Sequence, residues 1–260
     1  MKRRDFFTVG AAAGLACRFS SQANAFGSED ARTAGQTSTK TPLGTPGRID
    51  RERLRGRNIN RSTVVCRNGV AATSQSIAST VGVDILKSGG NAIDAAIATS
   101  AMMSVVEPMS CGPGGDLFAI LWVEADKKIY GLNASGRSPY GWSREKAKEC
   151  GYDNSLPGLG PHTWSVPGCV SGWDALQRRF GKLSFRDVLA PAAEYAREGF
   201  PVTEIITEYF RGSERDFENF PNAAQTYLID GNTPEFGQIF ANPDISRFFE
   251  ILMRDGAEAF

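Results

Sequence analysis

The sequence has 260 residues, 41% of them hydrophobic and 22% charged, which is enough for one sizeable domain around a buried core. The formal charge is zero, but residues 1–25 carry four basic side chains against one acidic, residues 26–61 eight against four, and the remainder 17 against 24. The part expected to fold thus has a net charge of −7, which argues against nucleic acid as a partner.

The chain opens on Lys2-Arg3-Arg4-Asp5-Phe6-Phe7, continues through a weakly apolar run over 9–17, and reaches Ala23-Asn24-Ala25, a small-x-small cleavage pattern. Paired arginines before a mild apolar core predict a twin-arginine (Tat) export signal over 1–25, a bacterial source and a periplasmic destination. The alternative is a lone amphipathic helix. The apolar run is shorter than the ~20 residues that span a bilayer, so no stable membrane insertion is expected. Residues 26–61 are rich in Gly, Ser, Thr, Pro and Arg without apolar periodicity, and read as a disordered linker. The domain proper is expected over 62–260.

From residue 64 the pattern changes. Residues 64–66 and 69–72 read as short strands around a turn. Ile77, Val81 and Ile85 repeat at helical spacing and predict a helix over 76–87. Gly89 is placed to end it, where a left-handed backbone is least costly without a Cβ. Gly90 follows, and Asn91 can cap the next helix, over 92–105. That helix is Ala, Ile, Met and Ser almost all round, so it should be buried. Asp94 lies in its first turn, favourable to the helix dipole. The glycine-rich turn Gly112-Pro113-Gly114-Gly115-Asp116 feeds a strand over 117–124, and a turn returns a second strand over 129–133. A helix is expected after Gly168 as far as Phe180, closed by Gly181. Ser184 with Asp187 opens another, which Pro191 should kink or restart. Further helices are expected over 203–213 and 244–254.

Several blocks then line up in one order: Gly89-Gly90-Asn91-Ala92-Ile93-Asp94-Ala95-Ala96-Ile97-Ala98, Glu107-Pro108, Gly112 to Phe118, Arg137-Ser138-Pro139, Val166-Pro167-Gly168, Leu189-Ala190-Pro191-Ala192 and Ala196-Arg197-Glu198-Gly199-Phe200. Together they resemble the large-subunit signature of the γ-glutamyltranspeptidases, a branch of the N-terminal-nucleophile (Ntn) hydrolases. The resemblance covers about residues 62–260. It implies an α+β chain forming part of a four-layer αββα sandwich. It also implies a precursor that cleaves itself before a Thr, whose new α-amine activates its own hydroxyl against a γ-glutamyl amide such as glutathione. In that family the cleavage site, the Thr and the oxyanion turn lie in the later part of the precursor. No Thr of this chain inherits the role, so no catalytic residue is expected here. The apolar end, Ala257-Glu258-Ala259-Phe260, fits a truncated large subunit whose partner is the missing C-terminal part and small subunit.

One substrate contact is implied. The family binds the glutamyl α-carboxylate with an arginine after the hairpin's second strand, and a guanidinium fork suits a carboxylate. Aligned on Pro139, Arg137 lies two positions later than that arginine, and Ser135 holds its place. This variant looks like that of transpeptidase-like members and acylase-type relatives, which weakens the expectation of γ-glutamyl specificity. The alternative is an arginine that orders its own loop. Gly89, Gly90, Gly114 and Gly115 are expected to be structural turns. Gly112 to Gly115 is not a phosphate cradle, because a strand rather than a helix N-terminus follows. His162, the single histidine, reads as a loop hydrogen-bonder. Cys66, Cys111, Cys150 and Cys169 leave free thiols and one disulfide equally open. No metal or cofactor is expected. The rival readings are an acylase for other amides and a non-catalytic remnant.

Overall fold

A computed structural model describes residues 64–260. The expected signal over 1–25 and the linker over 26–61 lie outside the described residues. The unit built by Cys66–Phe260 begins with two helices, α1 (Ser76–Lys87) and α2 (Ala92–Val106), and their junction is made by local chemistry. Gly89 has φ +100°. Its N–H bonds to the carbonyl of Leu86 and that of Gly90 to the carbonyl of Ile85, which satisfies the last orphan carbonyls of α1. A Cβ at Gly90 would lie 2.9 Å from the Ile85 carbonyl oxygen and 2.9 Å from Leu183 Cδ1, so the backbone itself resists a side chain there. Asn91 then accepts from the amides of Ile93 and Asp94, while Asp94 accepts from the Asn91 amide, a reciprocal capping box.

The small residues of these helices let them meet closely. A Cβ at Gly82 would fall 2.4 Å from Thr99 Oγ1 and 2.8 Å from the Ala71 Cβ. Ten of the 15 residues of α2 are buried, so it serves as the central rod of the unit. Around it pack α1, α4 (Cys169–Phe180) and α5 (Phe185–Glu198), and α5 in turn packs on α9 (Pro243–Asp255). Trp173 of α4 fills the junction, donating from Nε1 to Ser100 Oγ on α2 and lying 6.5 Å, centroid to centroid, from Phe249 of α9. Each fully buried aliphatic or Phe side chain in this cluster, such as Leu189, Val106 or Phe249, contributes roughly 1.5–3 kcal/mol relative to exposure.

The hairpin forms as expected, from β1 (Leu117–Val123) and β2 (Lys128–Ala134), antiparallel with Leu117 opposite Ala134 and Val123 opposite Lys128. Leu132 and Ala134 are buried, and Gly172 of α4 is within reach of Leu117 and Ala134. Tyr130 also packs on Phe180. The other face is apolar and open: Phe118, Ile120, Trp122 and Ile129 are exposed, Ile120 by 85%. The continuous apolar run is thus divided between a covered face and an uncovered one.

Two expectations differ. Residues 64–66 and 69–72 form no strand. Instead of pairing, Gly69 and Ala71 lie against Leu86 and Gly82 of α1, and the Thr73 amide donates to Ser79 Oγ. Pro191 does not restart its helix: α5 runs unbroken through it. The capping box of Ser184 and Asp187 holds the start, and buried Val188, Leu189, Ala192, Ala193 and Ala196 hold both sides of the proline in place. The stretch after α6 (Glu204–Gly212), for which the sequence raised no expectation, contains two short helices, α7 (Glu214–Asn219) and α8 (Pro221–Tyr227). A two-residue ladder pairs β3 (Phe200–Pro201) with β4 (Ile239–Phe240). α3 (Arg144–Glu149) lies in the loop between the hairpin and α4.

Candidate functional site

Three separate segments meet around Arg137. The first is the loop leaving β2. Gly136 has φ +78°, and a Cβ there would sit 1.8 Å from the Val166 carbonyl oxygen. The second is the stretch before α4. Arg137 pairs with Val166 in an antiparallel bridge, the Val166 amide donating to the Arg137 carbonyl at 2.8 Å. A Cβ at Gly168 would lie 2.1 Å from the Ala134 oxygen, so two glycines allow these backbones to touch. The third is the glycine-rich turn before β1. The Gly115 amide donates to the Gly112 carbonyl, and the Gly115 carbonyl accepts from the amides of Gly168 and Cys169. Ser165 Oγ donates to Asp116 Oδ1 at 3.0 Å. The amides of Gly168 and Cys169, at the start of α4, are therefore occupied by a protein carbonyl rather than open to an anion.

The Arg137 side chain is exposed, but it is not free to wander. Its Nη1 donates to Tyr140 Oη at 2.6 Å, and its guanidinium carbon lies 4.4 Å from the centroid of the same ring. Among the described residues no carboxylate pairs with it. In a guanidinium whose Nη1 is engaged, Nε and Nη2 share the remaining edge, the edge that takes a carboxylate side-on through two parallel bonds.

The other singled-out residues have local duties. Gly89 and Gly90 make the α1–α2 turn, Gly89 through its positive φ and Gly90 by lying against Ile85 and Leu183 rather than the Arg137 loop. Gly114 has open space where its Cβ would be, and no positive φ, so its place in the turn does not require glycine on steric grounds; at Gly115 a Cβ would meet the Gly112 oxygen at 3.4 Å. His162 Nδ1 lies 3.0 Å from Tyr152 Oη and its ring stacks on Trp142. Cys66, Cys111, Cys150 and Cys169 are free thiols. Burial, followed by the charges of Cys111 and Asp116, pushes the Cys169 thiol up to about 12. Burial, then Glu107, also raises Cys111. Neither is an activated nucleophile, which would need a lowered pKa. Among the described residues no cluster of three or more His, Cys, Asp or Glu side chains could hold a metal ion. A cleft of about 880 Å³ beside α7 and α8 is lined by Glu214, Glu218, Asp230 and Arg211, but none of its lining residues belongs to the three segments around Arg137.

Sequence reasoning missed Tyr140, Ser165 and the shared role of the Gly115 carbonyl. An aromatic three positions after an arginine in a loop has no periodicity to mark it. Ser165 and Asp116 are 49 positions apart.

Comparison with known proteins places this geometry. A sequence profile described as Gamma-glutamyltranspeptidase matches residues 78–260. The chain is 33% identical over 211 residues to the Glutathione hydrolase-like YwrD proenzyme of Bacillus subtilis, covering 78% of this chain and 38% of that protein. It is 30% identical over 205 residues to the Oxamate amidohydrolase proenzyme of Klebsiella pneumoniae, covering 76% of this chain and 38% of that one. Among solved structures, cephalosporin acylase from Bacillus halodurans superposes with a TM-score of 0.74 at 34% identity, over 85% of this chain and 40% of that chain. A γ-glutamyltranspeptidase from Pseudomonas nitroreducens, complexed with L-DON, gives 0.67 at 29% identity, over 75% of this chain and 57% of that one. The chain spans well under half the length of the curated relatives it matches. With its α+β architecture forming part of the Ntn-hydrolase fold, the chain belongs to the γ-glutamyltranspeptidase family.

Proposed function

We propose that the chain is the first part of the large subunit of an exported Ntn hydrolase or transferase acting on γ-glutamyl amides such as glutathione, and that alone it is inactive. Its partner is the rest of the same precursor, which supplies the nucleophilic Thr and the oxyanion donors. The open apolar face of Phe118, Ile120, Trp122 and Ile129 supports a second layer on the hairpin. Arg137 holds the α-carboxylate of the glutamyl group, and the observation that carries this role is its clamped backbone together with a fork edge that no carboxylate of the described residues occupies.

In the complete enzyme, Arg137→Ala removes a charge-assisted bidentate pair. The expected loss is about 2 kcal/mol of transition-state binding, or roughly 30-fold in kcat/KM. Arg137→Lys should recover little of it, because a point charge does not reproduce the fork. The loss should appear with substrates bearing the α-carboxylate and vanish with decarboxylated analogues. An equal fall in both would make Arg137 structural. An acylase acting on other amides would then lead, a reading favoured by Ser135 standing in the place of the family's arginine and by the likeness to the cephalosporin acylase.

Export through the Tat route, with cleavage after Ala25 and a periplasmic destination, rests on Arg3-Arg4 ahead of a weak apolar core. Among the described residues no helix is long and apolar enough to cross a membrane. Replacing both arginines by lysine should leave the precursor in the cytoplasm on fractionation. Unchanged export of that variant would point to the general secretory route.

A further inference from the structure

The tyrosine beside Arg137 has no evident packing duty. Tyr140 is 83% exposed, so its ring covers no core. The loop it belongs to is fixed by other means: the Arg137–Val166 bridge, the close approach of Gly136 and Gly168 to neighbouring backbone, and the Trp142 amide donating to the Pro139 carbonyl at 3.0 Å. The Arg137–Tyr140 contact orders a side chain, not a backbone.

The identity of the holder matters. Arg178, Arg211 and Arg247 are each held by a carboxylate three or four positions away, Asp174, Glu208 and Asp244, which neutralises them. Arg137 is held by a neutral ring and hydroxyl. A cation over a tyrosine face keeps its full charge, and the tyrosine does not compete for an incoming anion. An arginine that grips a ligand from a mobile start loses rotamer freedom on binding; one already laid on a ring has lost much of it beforehand.

Building on the reading of Arg137 as a carboxylate ligand, we propose that Tyr140 is a positioning residue, whose ring and hydroxyl hold the Arg137 guanidinium by Nη1 so that the Nε–Nη2 edge is presented, still cationic, to the α-carboxylate of an amino-acid-type acyl donor. The ring supplies most of the effect and the hydroxyl sets the rotation of the fork about the stack.

The test uses the complete protein, with the rest of the precursor present, and side-chain NMR of Arg137 Nε–Hε, assigned by its disappearance in Arg137→Lys. In the wild type this resonance should lie upfield of the other arginines, shifted by the Tyr140 ring. It should move on titration with L-γ-glutamyl anilide and stay still with 4-aminobutyryl anilide, the same molecule without the α-carboxylate. Tyr140→Phe keeps the ring and should keep both the upfield position and affinity to within about twofold. Tyr140→Leu should lose the upfield position and weaken the glutamyl anilide by about three- to tenfold, with unchanged circular dichroism. If Tyr140→Leu binds the glutamyl anilide as tightly as the wild type, the positioning role is overturned while Arg137 remains the ligand. If the glutamyl anilide leaves Arg137 unmoved in the wild type, the carboxylate reading itself fails and the role of Tyr140 falls with it.

Discussion

Purified as 260 residues, the chain should release anilide from a γ-glutamyl anilide no faster than the uncatalysed background, roughly a millionfold or more below a working enzyme. The reason is chemical. An Ntn nucleophile uses its own free α-amine as base, and an internal threonine has only an amide nitrogen, which is not basic. The described threonine hydroxyls are also engaged locally. Thr80, Thr207 and Thr226 bond back to carbonyls one helical turn earlier, Thr163 bonds to Gly160, and Thr203 accepts from Gln75 Nε2. Two of the thiols offer no activated substitute, since burial raises both Cys169 and Cys111. Anilide release together with intact mass would check this. Turnover above background that survives Arg137→Ala, or a new N-terminal threonine in the mass spectrum, would show that a nucleophile exists within these residues.

The largest stability loss from a single exchange is expected at Asp94. Its carboxylate is fully buried and accepts from the Asn91 amide at 2.8 Å, the Lys182 amide at 3.0 and 3.1 Å, and the Leu183 amide at 3.3 Å. Asn91 Nδ2 meanwhile donates to the Phe180 carbonyl. One acid therefore caps α2 and fixes the turn between α4 and α5. Asp94→Ala leaves three amides without an acceptor and opens a hole at the junction. About 3–5 kcal/mol should be lost, a large part of the 5–15 kcal/mol typical of a domain. Asp94→Asn keeps one acceptor oxygen and should lose about half as much. Urea denaturation midpoints would decide, and a loss below about 1 kcal/mol for the alanine variant would show that packing alone holds this corner.

What could be read from the sequence follows the range of the interactions. Helix ends were legible where the cap is local: Gly89 after α1, Asn91 before α2, Ser184 with Asp187 before α5. The hairpin was legible because its turn and two apolar runs are adjacent. Asp94 was legible only as a first-turn acid, since its partners at 182 and 183 lie 88 and 89 positions away. The restart considered at Pro191 fails because a local rule met a helix packed on both sides. Residues 64–72 misled because apolar, β-branched composition does not say whether a partner strand is present. At the candidate site, Arg137 stood out by resemblance, whereas its holder Tyr140 and the clamp by Gly136 and Gly168 became visible only with coordinates, because a ring stack and a backbone approach leave no pattern in the chain.

The Asp94 corner also imposes an order on synthesis. The ribosome finishes α2 long before it makes residues 182 and 183, which complete the bonding of the Asp94 carboxylate. At about 5–20 residues per second that wait is roughly 5–20 s. During it, a helix with little polar surface emerges with its first-turn carboxylate only partly engaged, before α4 and α5 exist to cover it. The nascent chain therefore passes through a window in which it must be shielded from its neighbours, and that window closes when the α4–α5 turn leaves the exit tunnel.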